Sequence, residues 1–182
     1  MNNKTRQKKL KALGYYHEKI DGKNSKEFTK AILAIQKDYF PKRYQDGKPG
    51  PQTDKLIQSA YNCRGIKNFS LKEFRCPCGH CTGYPAVLNR QLLLNLQSLR
   101  QNNGSITITS GLRCQWYNSR LVGSITRSKH TQGKAADFYN RNLTSTFARR
   151  NAMVRGWYRY KRANYAYANT PNMGNAVHVD VK

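Results

Sequence analysis

Ser128-Lys129-His130-Thr131-Gln132-Gly133-Lys134-Ala135-Ala136-Asp137 is the stretch on which the chain turns. It holds a histidine and an aspartate separated by six residues, with one glycine and two alanines among them. Imidazole and a short carboxylate are ligands that a catalytic zinc accepts, and a third protein ligand usually arrives from elsewhere in the chain. The small residues let backbone pass close to a metal without covering its open position. Near the chain end, Ala176-Val177-His178-Val179-Asp180-Val181 alternates apolar and polar residues. That period of two predicts a strand with His178 and Asp180 on one face.

Composition sharpens the pattern. From Cys63 onward the only acidic residues are Glu73, Asp137 and Asp180, so two of the three fall in the candidate site. Histidine occurs only at positions 17, 80, 130 and 178. A bland alternative makes His130 and Asp137 a hydrogen-bonded loop pair and His178 an ordinary strand residue. The added Ser128, Gly133 and terminal His-x-Asp favour zinc.

The pattern S-x-H-x2-G-x-A-x-D, followed by a C-terminal histidine strand, resembles the zinc D-Ala-D-Ala carboxypeptidases and their phage endolysin relatives. The resemblance covers about residues 67 to 182. It implies a hedgehog-like metallopeptidase fold, with His130, Asp137 and His178 as zinc ligands. Ile106-Thr107-Ile108-Thr109-Ser110-Gly111-Leu112-Arg113 is similar to the family's strand ending in S-G-x-R, which makes Arg113 a candidate catalytic and substrate-binding residue. Ser128 is expected to bind substrate beside it. Many relatives carry an acidic residue three positions before the last ligand, or a histidine two before it. This chain has Asn175 and Ala176 there.

Neither of those side chains can take a proton from water, so the general base has to be sought elsewhere. Asp180 emerges by elimination, as general base or as the group that orients the zinc water, because Asp137 is committed to metal and Glu73 has a capping role. The alternative for Asp180 is a hydrogen bond that fixes a metal ligand or Arg113.

The formal charge of +24, from 33 basic and 9 acidic residues, calls for a polyanionic partner. Bacterial peptidoglycan with its anionic wall polymers fits the resemblance. Nucleic acid is the alternative, suggested by basic and aromatic residues interleaved from Arg149 to Tyr167. In that case the zinc would be structural. A catalytically degenerate wall-binding protein is a third reading. No apolar run approaches the roughly 20 residues of a membrane span. The basic N-terminus lacks the apolar core of a secretory signal. The expectation is a monomer made in the cytoplasm, acting at the wall after release by a separate membrane-permeabilising protein.

Five cysteines and no secretory signal argue against a disulfide framework. Cys76, Cys78 and Cys81, with Cys114 or His80 as the fourth ligand, are candidates for a second, structural metal; the alternative is reduced thiols in a tight turn.

The fold class expected is α+β. A small three-helix bundle, residues 1–62, would precede a zinc peptidase domain, residues 63–182, with a mainly antiparallel sheet and flanking helices. Helices are predicted over 4–13, after the N-cap Ser25, over 53–61, 87–101 and 146–160, and a further one over 116–122. Strands are predicted over 105–110, 135–139 and the chain end. Residues 62–70 read as a linker, and Ser70-Leu71-Lys72-Glu73 as a capping box. Ile20-Asp21-Gly22 and Gln45-Asp46-Gly47 form a faint internal echo. Leu13-Gly14-Tyr15-Tyr16, the two D-G turns and Ala31 to Gln36 resemble the peptidoglycan-binding domain found beside wall hydrolases. Tyr15, Tyr16 and Tyr44 are its plausible stacking groups.

Overall fold

The computed structural model describes all 182 residues. Three helices open the chain: α1 (Asn3–Ala12), α2 (Lys26–Tyr39) and α3 (Pro51–Asn62). Asn2 and Ser25 cap the first two through their side chains, and Pro51 starts the third, where its missing N–H costs nothing. Leu10, Phe28, Ile32, Ile35, Leu56 and Ile57 are fully buried between them.

The internal echo is a repeated structural device. Gln7 of α1 donates to Asp21 Oδ1 (3.1 Å) and the Lys23 carbonyl, and its Oε1 accepts from Gly22 N (2.7 Å). Gln36 of α2 donates to Asp46 Oδ1 (3.0 Å) and the Lys48 carbonyl, and accepts from Gly47 N (2.8 Å). In each turn the aspartate also accepts from a backbone N–H two residues on, at 2.8 and 2.9 Å. Both glycines have positive φ, as such turns require. A buried glutamine thus satisfies each Asp-Gly turn from inside.

The second half carries α4 (Arg90–Asn103), β1 (Thr107–Ser110), the single turn α5 (Gln115–Asn118), β2 (Ala135–Tyr139), the single turn α6 (Arg141–Thr144), α7 (Phe147–Trp157), β3 (Ala163–Ala168) and β4 (Val177–Val181). The strands form one antiparallel sheet in the order β1-β2-β4-β3. The expected α+β class and its antiparallel sheet are present. Ser70 and Glu73 make the complete capping box, on a 3-10 turn at Leu71–Phe74. Two expectations need correction. The helix predicted over 116–122 ends at Asn118, because the chain turns to let Asn118 donate to the Ile125 carbonyl. Strand β3 was not anticipated: Ala163–Ala168 lies inside the basic, aromatic stretch, where Ala166 is its one buried residue.

One cluster of 31 buried apolar residues runs through both halves of the chain. Tyr84 packs between Tyr39 and Phe40 of the first half. Ser59 Oγ accepts from Leu88 N, and Asn62 donates to the Leu88 carbonyl. Phe69, within the expected linker, is itself buried. No helix is long and apolar enough to cross a membrane.

Candidate metal centre

One rung of the sheet builds most of the site. Ser110 in β1 pairs with Asp137 in β2, Asp137 with His178 in β4, and His178 with Tyr167 in β3. Residues in register on adjacent strands present their side chains to the same face. Four strands therefore deliver Ser110, Asp137, His178 and Tyr167 side by side. His130 reaches the same face from the turn before β2.

Three donor atoms converge. His130 Nε2 lies 3.1 Å from Asp137 Oδ1 and 3.1 Å from His178 Nδ1, and His178 Nδ1 lies 2.7 Å from Asp137 Oδ1. Zinc holds nitrogen and oxygen ligands at about 2.0–2.2 Å, so a tetrahedral site needs such donors about 3.3 Å apart. The triangle fits one face of that tetrahedron, and the donor set is one that catalytic zinc uses. His130 is 1%, His178 5% and Asp137 8% exposed, an unusual concentration of titratable groups on a buried sheet face.

Each of the three candidate ligands is held from behind. His130 Nδ1 donates to the Gly111 carbonyl at 2.6 Å, which leaves Nε2 as the free lone pair. Arg113 Nη2 donates to Asp137 Oδ2 at 2.5 Å and its Nε to Ser110 Oγ at 2.9 Å, so Asp137 presents Oδ1 alone. Arg113 Nη1 has no partner within the chain. His178 is backed by Asp180, whose Oδ2 lies 3.5 Å from Nε2. Tyr167 stacks on the His178 ring, with centroids 4.4 Å apart.

The electrostatics follow from these contacts. Burial pushes the Asp137 pKa up, but the neighbouring imidazoles of His130 and His178 outweigh it and hold the carboxyl well below the usual range. Burial lowers His130 and wins over the pull of Asp137. For His178 burial acts downward too, but Asp137 and Asp180 together raise it.

Two backbone glycines permit the geometry. Gly133 has φ +72°, and a β-carbon there would collide with the Val87 carbonyl. A β-carbon on Gly111 would meet the backbone of Phe74. These approaches seat the His130 turn and the Gly111 carbonyl against the Cys76 region and the start of α4.

The structure brings His130, Asp137, His178, Arg113 and Asp180 together. Asp180 shares the strand face of His178 but sits behind the ring, 3% exposed. Its Oδ1 accepts from Asn164 Nδ2 (2.8 Å) and Tyr165 N (2.9 Å), at the bulge of β3. It lies beside the ring nitrogen other than the one that faces Asp137. Ser128 Oγ accepts from His130 N (3.3 Å) and its carbonyl from Thr131, so it shapes the turn that presents His130. Asn175 is held by Arg150 at 2.6 Å. Tyr167 escaped the sequence reading. Its signal was the alternation Tyr165-Ala166-Tyr167, hidden in a stretch that reads as a generic basic, aromatic surface.

Cys76, Cys78, Cys81 and Cys114 also converge, with all four sulfurs within 4.8 Å of one another.

Comparison with known families agrees with this geometry. Residues 67–180 match the family model described as peptidase M15, and residues 4–57 match a peptidoglycan binding domain. Among curated proteins none matches the chain. The first match covers more than half of the chain, including every residue of the convergent site, and the protein belongs to the peptidase M15 family.

Proposed function

We propose that the protein is an endolysin-like peptidoglycan hydrolase that cleaves peptide bonds in stem peptides or cross-links of the bacterial wall. The observation that carries this reading is the buried triangle of His130 Nε2, Asp137 Oδ1 and His178 Nδ1, each backed by a partner that fixes its orientation. M15 peptidases are zinc-dependent, and the three side chains suit one catalytic zinc. When bound, zinc supplies Lewis-acid polarisation of a carbonyl and activation of water.

The chain's own residues do the rest. Arg113 holds Asp137 in a one-oxygen orientation and keeps Nη1 for a substrate carboxylate or carbonyl, a pairing that suits guanidinium. Tyr167 stands on the same rung, and a phenol is protonated at neutral pH, so it can donate to a substrate oxygen. Ser128 sets the His130 turn, and its hydroxyl proton remains available to substrate. Asp180 is a positioning residue: it holds His178 Nε2 and leaves Nδ1 for the metal. All three ligands come from one chain, which suits a monomer.

Residues 1–62 would hold the enzyme on peptidoglycan, and residues 63–182 would carry the chemistry. The charge of +24 would strengthen attachment to anionic wall polymers. A protein with these properties would act at the wall after release from the cell that makes it. The test is hydrolysis of purified sacculi by the zinc-loaded protein, by the chelated protein and by His130→Ala. Solubilisation by the first alone supports the reading. Equal activity in all three would overturn it.

A further inference from the structure

Four thiols gather where the metal-centre mechanism has no use for them. Cys78 Sγ lies 3.5 Å from Cys81 Sγ and 3.6 Å from Cys114 Sγ, and Cys76 completes the group. A disulfide needs its sulfurs about 2.05 Å apart. Zinc binds thiolate sulfur at about 2.3 Å, which sets the edge of a tetrahedral four-sulfur site at about 3.8 Å. The observed separations belong to the second geometry.

The surroundings are those of a built site. Each sulfur accepts one backbone N–H: Cys76 from Cys114 N (3.4 Å), Cys78 from His80 N (3.3 Å), Cys81 from Gly83 N (3.3 Å) and Cys114 from Tyr117 N (3.4 Å). Amide donors aimed at sulfur favour the thiolate and tune a bound metal. Cys76 N donates to the Gly83 carbonyl, closing the turn, and Gly79 and Gly83 supply its positive φ angles. Cys63 stands outside the group.

We propose that Cys76, Cys78, Cys81 and Cys114 bind a second zinc ion, tetrahedral and purely structural, that fixes the Gly111–Cys114 segment beneath the catalytic centre. Cys114 directly follows Arg113, which holds Asp137, and lies three residues past Gly111, whose carbonyl holds His130. The Leu112 N–H donates to the Phe74 carbonyl, so the same segment is tied down two residues before Cys76. The first half of the chain rests on this turn as well: Arg43 donates to the Gly79 carbonyl and Tyr44 Oη to that of His80 (3.0 Å). Four protein ligands leave no open position, which separates this site from the three-ligand centre. Binding releases the thiol protons, so it weakens as pH falls.

Metal content and cobalt spectroscopy test the site without reference to activity. The full-length wild type and His130→Ala are each purified under reducing conditions and assayed for zinc, then exchanged with cobalt. The expected result is two zinc equivalents in the wild type and one in His130→Ala, with an intense thiolate-to-cobalt charge-transfer band in both. Cys78→Ser/Cys81→Ser loses that band. Because this variant could fail to fold, a mercurial thiol reagent is also titrated into folded His130→Ala in the presence of a chromogenic zinc chelator. Release of one zinc equivalent as the thiols react supports the site. Zinc-free His130→Ala with freely reactive thiols overturns it, and so does a mass showing disulfides in place of metal. Either failure leaves the peptidase reading standing, because His130, Asp137 and His178 are tested separately by wall hydrolysis.

Discussion

Asp180 stands behind His178, with Oδ2 3.5 Å from Nε2, while Nδ1 on the far side of the ring faces Asp137 Oδ1 at 2.7 Å. A carboxylate so placed sets which nitrogen of the imidazole carries the proton. It is poorly placed to draw a proton from anything bound in front of the ring. We therefore expect Asp180→Asn to weaken metal affinity by about 10–100-fold, with turnover restored to within about tenfold at saturating zinc. Full metal affinity with turnover lost about a hundredfold or more would instead make Asp180 the base.

Tyr167 covers the His178 ring, and the stacking and the hydroxyl can be separated. Tyr167→Phe is expected to keep metal affinity, while Tyr167→Ala lowers it several-fold by freeing the ring. If the phenol donates to substrate, Tyr167→Phe raises KM or lowers kcat with the metal in place. Competition with a chromogenic chelator and steady-state kinetics on wall fragments read the two effects independently.

Gly133 is fixed by space as well as by φ. Gly133→Ala puts a β-carbon into the Val87 carbonyl at a left-handed backbone position and should cost about 2–4 kcal/mol. Gly156, near the end of α7, has open space around it. Gly156→Ala should be neutral or stabilising by about 0.5 kcal/mol. Thermal unfolding of the two variants checks the contrast.

The glutamine-held turns predict paired effects in the helical half. Gln36→Ala strands the Gly47 N–H and removes a donor to Asp46, at a cost of about 1–3 kcal/mol. Gln7→Ala should act in the same direction through Gly22 and Asp21. The backbone N–H groups of Lys23 and Lys48 hold Asp21 and Asp46 below the ordinary carboxylate value of 3.8. A lowered folded pKa means this stabilisation is complete above the ordinary value and is lost as pH falls through the lower folded ones. Unfolding of the wild type, Gln7→Ala and Gln36→Ala at a series of pH values should show the turns' contribution declining on the acid side.

The candidate ligands were legible because their chemistry is rare in this chain: four histidines in all, three carboxylates from Cys63 onward, and a spacing that leaves room for a metal. The helical half was legible from its caps and apolar spacing, and the Asp-Gly echo was visible without the glutamines that explain it. Strand β3 was not, since Tyr165 and Tyr167 are polar-tipped aromatics at a sheet edge and their alternation resembles surface decoration. The position of Asp180 was half legible. Alternation put it on the face of His178, but strand spacing cannot say on which side of a ring a carboxylate stands. The bulge of β3, which draws Asp180 to Tyr165 N, is a tertiary event.

The most direct test of the account is mass spectrometry of what the zinc-loaded protein releases from purified sacculi, with His130→Ala run alongside. The expected products are muropeptides cut at peptide bonds, with glycan linkages intact and none released by His130→Ala. New reducing sugar ends, or identical products from both proteins, would contradict it.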